Sequence, residues 1–540
     1  MNRRQANPWV ALAALCVGFF MILLDTTIVS VAIPAMIKGL DASLNEIVWV
    51  TSGYLLAFAV PLLVSGRLGD RIGRKTMFVG GLALFTAASL WCALSGSAEM
   101  LIAARVVQGL GAAALTPQTM AFITNLFPPE KRGTPLGIWG GVAGLATIAG
   151  PLLGGVLVDN FGWQWIFMVN VPIGAVGVIA ALFLLPGKLP GRNQRFDLVG
   201  TVLSGLGLFA LVFGVQNGQQ DDWGSAIGPI TIPELIAAGV LLLAAFVWWQ
   251  AIGARRGNEP LMPLALFRYS NFAAANGANV AIGFALTGMF LPLAIYWQSV
   301  LGLSPLMAGL LGAPMSLVSG MVAPFAGKLS DRISGKWVSL TGFVAMAIGI
   351  AILIAQAKPD TEAWSLTPAL LVIGFGVGCV FSPLANLATA AVPLPQMGAA
   401  SGVMNTSRQV GGVLGSAAIG VLLQARLTVT MHTAAVTNAA SLPPQFRDRF
   451  IATVDAQAAT ASTGAASSAA HTSGLPTAVA AKLAQAGQAA FREGFTSATT
   501  VTLILPLAIL VLGAFACLLM TRSKTSSPAA RPTPLVTEPA

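Results

Sequence analysis

The chain has 540 residues, 56% hydrophobic and only 9% charged, with a mean hydropathy of +0.79 and a net charge of +10. A soluble domain carries roughly 25% charged residues, so a soluble fold is excluded and the sequence reads as a multi-spanning membrane protein. The basic excess sits in short loops, where it signals topology and not a nucleic-acid surface.

Fourteen apolar runs are long enough to cross a bilayer, roughly 17 to 25 residues each. They fall at 10–33, 48–66, 76–96, 101–123, 135–157, 165–185, 198–216, 231–251, 273–298, 307–326, 336–357, 367–391, 400–425 and 495–520. The first run is too long for a signal peptide and lacks a small-x-small cleavage site, so it is expected to stay as a span. Arg3 and Arg4 precede it. Basic residues then follow the even-numbered spans: Arg67, Arg71, Arg74 and Lys75; Lys131 and Arg132; Lys188, Arg192 and Arg195; Arg255, Arg256 and Arg268; Lys328, Arg332 and Lys336; Arg522 and Lys524. The intervening short loops carry Asp159, Asp221, Asp222, Asp360 and Glu362. This alternation predicts both termini in the cytoplasm.

The stretch 426–494 is rich in Ala, Thr, Ser and Gln and is expected as a poorly ordered external loop, with short surface helices as the alternative. A docked periplasmic adaptor on it stays open. The four cysteines, Cys16, Cys92, Cys379 and Cys517, lie in apolar runs without metal-ligand spacing and read as packing residues.

Two loops echo each other: GRLGDRIGRK at 66–75 and GKLSDRISGK at 327–336. Their offset of eight spans predicts an all-α integral membrane fold in a 6+2+6 arrangement. The expected units are an N-terminal six-helix bundle at 1–190, two additional helices at 191–256, and a C-terminal bundle at 257–540 that includes the loop and a cytoplasmic tail at 522–540. Such repeats place a substrate site near midplane between the halves.

Three charges fall inside spans. Asp25 lies in MILLDTTIVSVAIP, where an ionised acid costs roughly 2.5–3.5 kcal/mol on insertion scales. Burial favours its neutral form, which suits a group that takes up and releases a proton. Arg105 stands near the start of span four, about one turn inside the outer end, at a depth close to that of Asp25. Arg408 stands nearer midplane in span thirteen, to bind an anion or to hold backbone carbonyls. Further candidates for a substrate cavity are Gln108, Asn276, Asn279, Tyr296, Gln298, Asn386 and Asn405, with Phe284, Phe290 and Trp297 as aromatic walls. Gly150, Pro151, Gly154 and Gly155 form a small-residue face for close helix approach. An acid deep in a span is found only at Asp25, which argues for neutral, anionic or monovalent cargo.

Six segments, in order, resemble the major facilitator superfamily, and more narrowly its fourteen-spanner drug:proton antiporters of the QacA/EmrB type: LDTTIVSVAIP (24–34), GRLGDRIGRKTMF (66–78), ARVVQGLGAAALTP (104–117), AGPLLGG (149–155), WQWIFMVNVPIG (163–174) and SGVMNTSRQVGGVLGSA (401–417). The sequence departs at Ala146, where a glycine is common, and at Ser334-Gly335, which replaces the Gly73-Arg74 pair of the first half. The resemblance implies alternating access and export of a small amphipathic substrate from the bacterial cytoplasmic (inner) membrane, driven by protons with no cofactor. It sets helices one and four side by side, so Arg105 modulates the protonation of Asp25, directly or through Gln108. It implies a gating latch at Gly66, Asp70, Arg71, Gly73 and Arg74, and a closing face at Gly150, Pro151, Gly154 and Gly155. A symporter or uniporter of a metabolite is the competing reading, and the fifth-helix motif speaks against it.

An enzyme is not expected. The two histidines, His432 and His471, lie in the 426–494 stretch, and neither H-E-x-x-H nor G-x-S-x-G occurs. The phosphate-binding G-x-x-x-x-G-K-[ST] loop of an ATP-driven pump is also missing.

Overall fold

The computed structural model describes residues 7–127, 133–187, 197–218, 223–227, 229–256, 260–389, 392, 397–459 and 477–521. Its helices are α1 Pro8–Leu40, α2 Leu44–Ile72, α3 Arg74–Ala93, α4 Ala98–Leu126, α5 Gly133–Phe161, α6 Trp165–Met168, α7 Asn170–Leu184, α8 Leu198–Asn217, α9 Ile232–Arg255, α10 Ser270–Ile295, α11 Pro305–Ile333, α12 Gly335–Gln356, α13 Thr367–Thr389, α14 Met397–Ala439, α15 Pro444–Ala459 and α16 Thr477–Leu519. A two-stranded ribbon, β1 Ser225–Ile227 and β2 Ile230–Thr231, precedes α9.

Among the described residues thirteen helical stretches are long and apolar enough to cross a membrane, with α6 and α7 counted as one. The fifth predicted run, 135–157, lies inside α5, which is not among the thirteen. Helix starts follow the local chemistry. Ser43 and Glu46 form a reciprocal capping box at α2, Thr231 and Glu234 do so at α9, and Ser97 and Ser304 cap α4 and α11. The prediction ended the first span before Pro34, yet α1 runs on to Leu40. Its lost backbone bond is tolerated in a packed membrane helix.

Each half repeats the same joints. In the first, α3 crosses α4 where a Cβ on Gly81 would meet Gly111 O at 2.9 Å. In the second, α12 crosses α13 where a Cβ on Gly342 would meet Gly376 O at 2.7 Å. Lys75 donates to Leu182 O and Leu185 O at 2.6 and 2.8 Å, holding the last turn of α7. Lys336 donates to Leu518 O at 2.7 Å, holding the last turn of α16 in the same way. Cations suit these C-terminal carbonyls. Helices α8 and α9 pack on each other, and α8 also touches α2 and α14.

The halves meet where α5 packs on α11 and α2 on α14. Ser52 and Ser416 hydroxyls lie 2.6 Å apart, Gln298 Nε2 donates to Val31 O at 2.8 Å, and Leu306 N–H donates to Asp159 Oδ2 at 3.0 Å. These contacts lie toward the end of the molecule where α1 finishes at Leu40.

The 426–494 stretch is not a loop along most of its length. Helix α14 continues to Ala439, α15 follows, and α16 begins at Thr477, while 460–476 lie outside the described residues. At 1.5 Å per residue a 43-residue helix is about 65 Å long, roughly twice the 30 Å hydrocarbon core. Both α14 and α16 have that length. The Ala-rich composition read as disorder is here a close helix packing. Met431, Ala434, Phe450, Val454, Ala490 and Phe491 are buried in one core, Thr430 Oγ1 donates to Gly494 O at 2.8 Å, and Asn438 Nδ2 donates to Glu493 Oε2 at 2.9 Å.

Candidate functional site

Asp25 sits near the middle of α1, 17 residues from Pro8 and 15 from Leu40. That leaves about four turns between Asp25 and the Leu40 end, because α1 extends past Pro34. Arg105 is two turns into α4. The two are brought together: Arg105 Nη1 lies 2.6 Å from Asp25 Oδ2, and both side chains are sealed from solvent.

The network around this pair is dense. Arg105 Nη1 also donates to Gln108 Oε1 at 2.7 Å, and Arg105 Nε donates to Val50 O at 3.3 Å. Gln108 Nε2 donates to Asp25 Oδ1 at 2.8 Å and to Ser89 Oγ at 2.7 Å. Asn170 Nδ2, at the first position of α7, donates to Asp25 Oδ1 at 3.0 Å and to Ser89 Oγ at 3.1 Å. The guanidinium lies 4.0 Å from the centroid of the Tyr54 ring and 5.6 Å from that of Phe167. Five helices thus converge on one carboxylate. A buried pair costs several kcal/mol per ion in desolvation unless its remaining hydrogen-bond positions are filled. Here three donors, Arg105 and Gln108 on α4 and Asn170 on α7, fill them.

The sequence reading named Asp25, Arg105 and Gln108 and missed Ser89 and Asn170. Asn170 lies inside the quoted segment WQWIFMVNVPIG. A lone amide in an otherwise apolar stretch was the available signal. For Ser89 there was none, since a single serine in a helix commonly bonds its own backbone.

The small-residue face does bring helices close. A Cβ on Gly150 would run into Thr27 of α1, and one on Gly154 would meet Ile28. A Cβ on Gly155 would meet the backbone of Pro305 and Leu306 in the other half, and Gly309 faces Pro151 O. Ala146, the departure from the motif, is buried, and its carbonyl accepts from Thr27 Oγ1 at 3.4 Å.

The latch residues are not in a loop. Gly66, Asp70 and Arg71 belong to the last turns of α2, and Gly73 alone joins α2 to α3, at φ 104°. Arg71 is exposed, and Arg74 Nη1 donates to Ala121 O at 3.2 Å. The Asp70 side chain lies outside the described residues. Ser334 takes the place of Gly73 in the second half and adopts nearly the same backbone, φ 86° and ψ 125° against 104° and 126°.

Of the cavity candidates, three hydrogen-bond to neighbours in α10, α14 and the stretch after α12. Asn276 donates to Phe272 O and accepts from Ser407 Oγ, Asn279 donates to Ala275 O, and Tyr296 donates to Lys358 O at 2.7 Å. Trp297 and Phe284 are core residues. Asn386 is exposed on α13. Arg408 differs from Arg105. One turn further along α14, a Cβ on Gly412 would lie 3.0 Å from Thr287 Oγ1 of α10 and 3.7 Å from Leu55 of α2. Its guanidinium reaches Asn405 Oδ1 at a long 3.5 Å and lies 5.5 Å from the Phe381 ring centroid. No carboxylate pairs with it among the described residues. No hydrogen bond from its guanidinium to a backbone carbonyl is found among the described residues. No cluster of metal-ligating side chains occurs among the described residues.

The Major Facilitator Superfamily profile matches residues 15–416. Relatives include an uncharacterized MFS-type transporter of Mycobacterium tuberculosis, 47% identical over 79% of this chain and 72% of its own length. A probable actinorhodin transporter of Streptomyces coelicolor is 37% identical over 81% and 76%. The multidrug resistance protein Stp of Mycobacterium tuberculosis is 35% identical over 80% and 78%. Among solved structures, a bacterial homologue of the human lysosomal transporter Spinster aligns with TM-score 0.60, covering 97% of this chain and all of that one at 18% identity, a likeness of fold alone. The chain belongs to the major facilitator superfamily. It is a multi-pass membrane transporter of small molecules and not an enzyme.

Proposed function

We propose that the protein is a proton-driven exporter of small amphipathic compounds in the bacterial cytoplasmic membrane, working by alternating access with no cofactor. The observation that carries this reading is the sealed Asp25–Arg105 pair. An acid at this depth is retained at a cost, and intramembrane acids mark proton relays. With Asp25 ionised, the guanidinium and two amides hold the charge. A proton arriving from outside neutralises the acid and frees Arg105, loosening the joint of α1, α4 and α7. The proton moves down a potential worth about 2.3 kcal/mol per charge per 100 mV.

On this reading α5 is the fourteenth span, the halves are 1–190 and 257–540 around two added helices at 191–256, and both termini face the cytoplasm. The end at Leu40 is then the outer one. Its closure by Gly155 on Leu306 and by Asp159 on the start of α11 makes this an inward-facing state. Cargo would lie between the halves against Arg408, Asn405 and Phe381, where an unpaired guanidinium favours a neutral or anionic group over a dication. The projecting α14–α16 hairpin would stand outside, in reach of membrane lipid and of an adaptor. The relatives' names supply the first compounds to try, actinorhodin above all.

Inverted vesicles carrying the protein test the reading. Addition of a transported compound should dissipate an imposed pH gradient, and accumulation should stop when a protonophore is added. Transport that continues unchanged without a proton gradient overturns it.

A further inference from the structure

The carboxylate of Asp25 is surrounded by donors: Arg105 Nη1, Gln108 Nε2 and Asn170 Nδ2. This shell suits the ion and not the acid. A protonated carboxyl has a hydrogen to give, and a buried donor without an acceptor costs about 1–3 kcal/mol. Gln108 Oε1 already accepts from Arg105. Ser89 Oγ already accepts from both amides. Asn170 Oδ1, in a side chain wholly buried, accepts from nothing among the described residues.

We propose that Asn170 is a positioning residue that reads the charge of Asp25 by turning its amide over. Resting on the proton-coupling role of Asp25, the inference adds the acceptor which that role lacks. With Asp25 ionised, Nδ2 faces the carboxylate and Ser89 and leaves Oδ1 idle. When a proton adds to Asp25, a half-turn of the amide presents Oδ1 to the new O–H. Ser89, whose hydroxyl can donate as well as accept, then gives its hydrogen to the same oxygen. No bond other than the carboxyl O–H forms or breaks.

The position of Asn170 makes the turn consequential. It is the first residue of α7, directly after the break from α6 at Val169. A Cβ on Gly174 would run into Thr86, and Gly177 lies against Leu82 and Val17, so α7 is seated on α3 and α1. The titratable and charged groups that face Asp25 are Arg105 on α4, Tyr54 on α2 and Cys92 on α3. Helix α7 brings no ionisable group, and its contribution is the amide alone.

The test uses the purified full-length protein in detergent, titrated with acid and followed by infrared difference spectroscopy, with no cargo needed. The carbonyl stretch that grows as Asp25 takes up its proton is assigned by its loss in Asp25→Asn. Asn170→Leu removes a hydrogen bond from the ion and another from the acid, and the bond to the charged form is the stronger. The pH at which the band appears should therefore rise by well under about one unit, while the band shifts in frequency. Ser89→Ala should move it in the same direction by less. In Asn170→Leu, a rise of a full unit without a frequency shift would mark an amide that serves the ion alone and overturn the inference. In wild type, a 13C-labelled Asn170 carbonyl should change at the same pH as Asp25. A band at unaltered pH and frequency in Asn170→Leu overturns the inference. If that variant does not fold, an unaltered Ser89→Ala titration with a silent Asn170 carbonyl overturns it equally. Absence of any Asp25 band between pH 4 and 9, a range of about five units around neutrality, would instead overturn the proton-coupling reading.

Discussion

Lys75 and Lys336 hold the last turn of the last helix in each half, and the α3–α4 and α12–α13 crossings use paired glycines in both. At mid-depth the halves part company. The first half seals an arginine against an acid, an amide, a carbonyl and two aromatic rings. The second half gives Arg408, among the described residues, one long hydrogen bond and one ring. The shared joints set the scaffold. The differing arginines divide the labour: a self-satisfied charge pair suits a proton switch, and an under-satisfied guanidinium suits a visiting ligand.

The largest effect is expected in the sealed pair. Arg105→Leu leaves Asp25 buried without its counter-charge, a loss of about 3–5 kcal/mol. Tm should fall by several degrees and gradient-driven transport should vanish. Asp25→Asn should abolish gradient-driven transport with a smaller loss of Tm, since an amide can still meet Gln108 and Asn170. Asp25→Asn vesicles that still couple transport to a pH gradient would break the contrast between the halves, because the sealed site would then not be the switch.

The next effect falls on the seam. Gly155→Val sets a side chain against the backbone of Pro305 and Leu306. Overpacking of this kind costs about 1–3 kcal/mol, and it is paid only in the conformer closed at this end. A disulfide engineered between positions 159 and 306 should form readily in the parent and about tenfold more slowly with Gly155→Val. Equal rates would show that this face does not close the molecule.

Much of this was legible in the residues. The helices announced themselves as apolar runs, and the echo of 66–75 in 327–336 corresponds to two alike turns, α2 into α3 and α11 into α12. Asp25 and Arg105 stood out because charge inside an apolar run is costly. What did not show was partnership. Asn170 is one amide in a span, and only the fold reveals that its nitrogen points at an acid 145 residues away. Asn276, Asn279 and Tyr296 show the converse, since their hydrogen bonds go to nearby backbone carbonyls. Polarity in a span signals a needed hydrogen bond, and a neighbouring backbone carbonyl meets that need as well as a cavity does. The 426–494 stretch misled through composition, since alanine-rich sequence serves a tight helix packing as readily as a mobile loop.

Arg408 supplies a smaller and more selective effect. With so few partners to lose, Arg408→Ala should change stability by under about 1 kcal/mol. Affinity for anionic cargo should drop tenfold or more, as expected for one charge-assisted hydrogen bond, while uncharged cargo is nearly unaffected. Competition with a panel of anionic and neutral amphiphiles in the same vesicles reads this. A uniform loss across the panel would mean that Arg408, like Arg105, serves the transport cycle and not cargo recognition, and would erase the difference between the halves.

The smallest effect lies where the halves almost coincide. Gly73 turns α2 into α3 with a backbone that an L side chain resists, and Ser334 is held in nearly that backbone between α11 and α12. A residue kept in a sparsely populated region costs about 1–3 kcal/mol. Ser334→Gly relieves the strain but gives the unfolded chain more freedom, a cost of about 0.5–1 kcal/mol. The net gain should be about 1 kcal/mol or less, read as a rise of a degree or two in Tm. The reverse change, Gly73→Ser, should lower Tm by more than Ser334→Gly raises it, because it adds the strain to a turn built around glycine. If Gly73→Ser is neutral, the two turns are equivalent and the serine of the second half carries no strain. If both changes move Tm as expected while Ser334→Gly also slows transport, the strained turn is a working part of the second half, a spring that its glycine counterpart lacks.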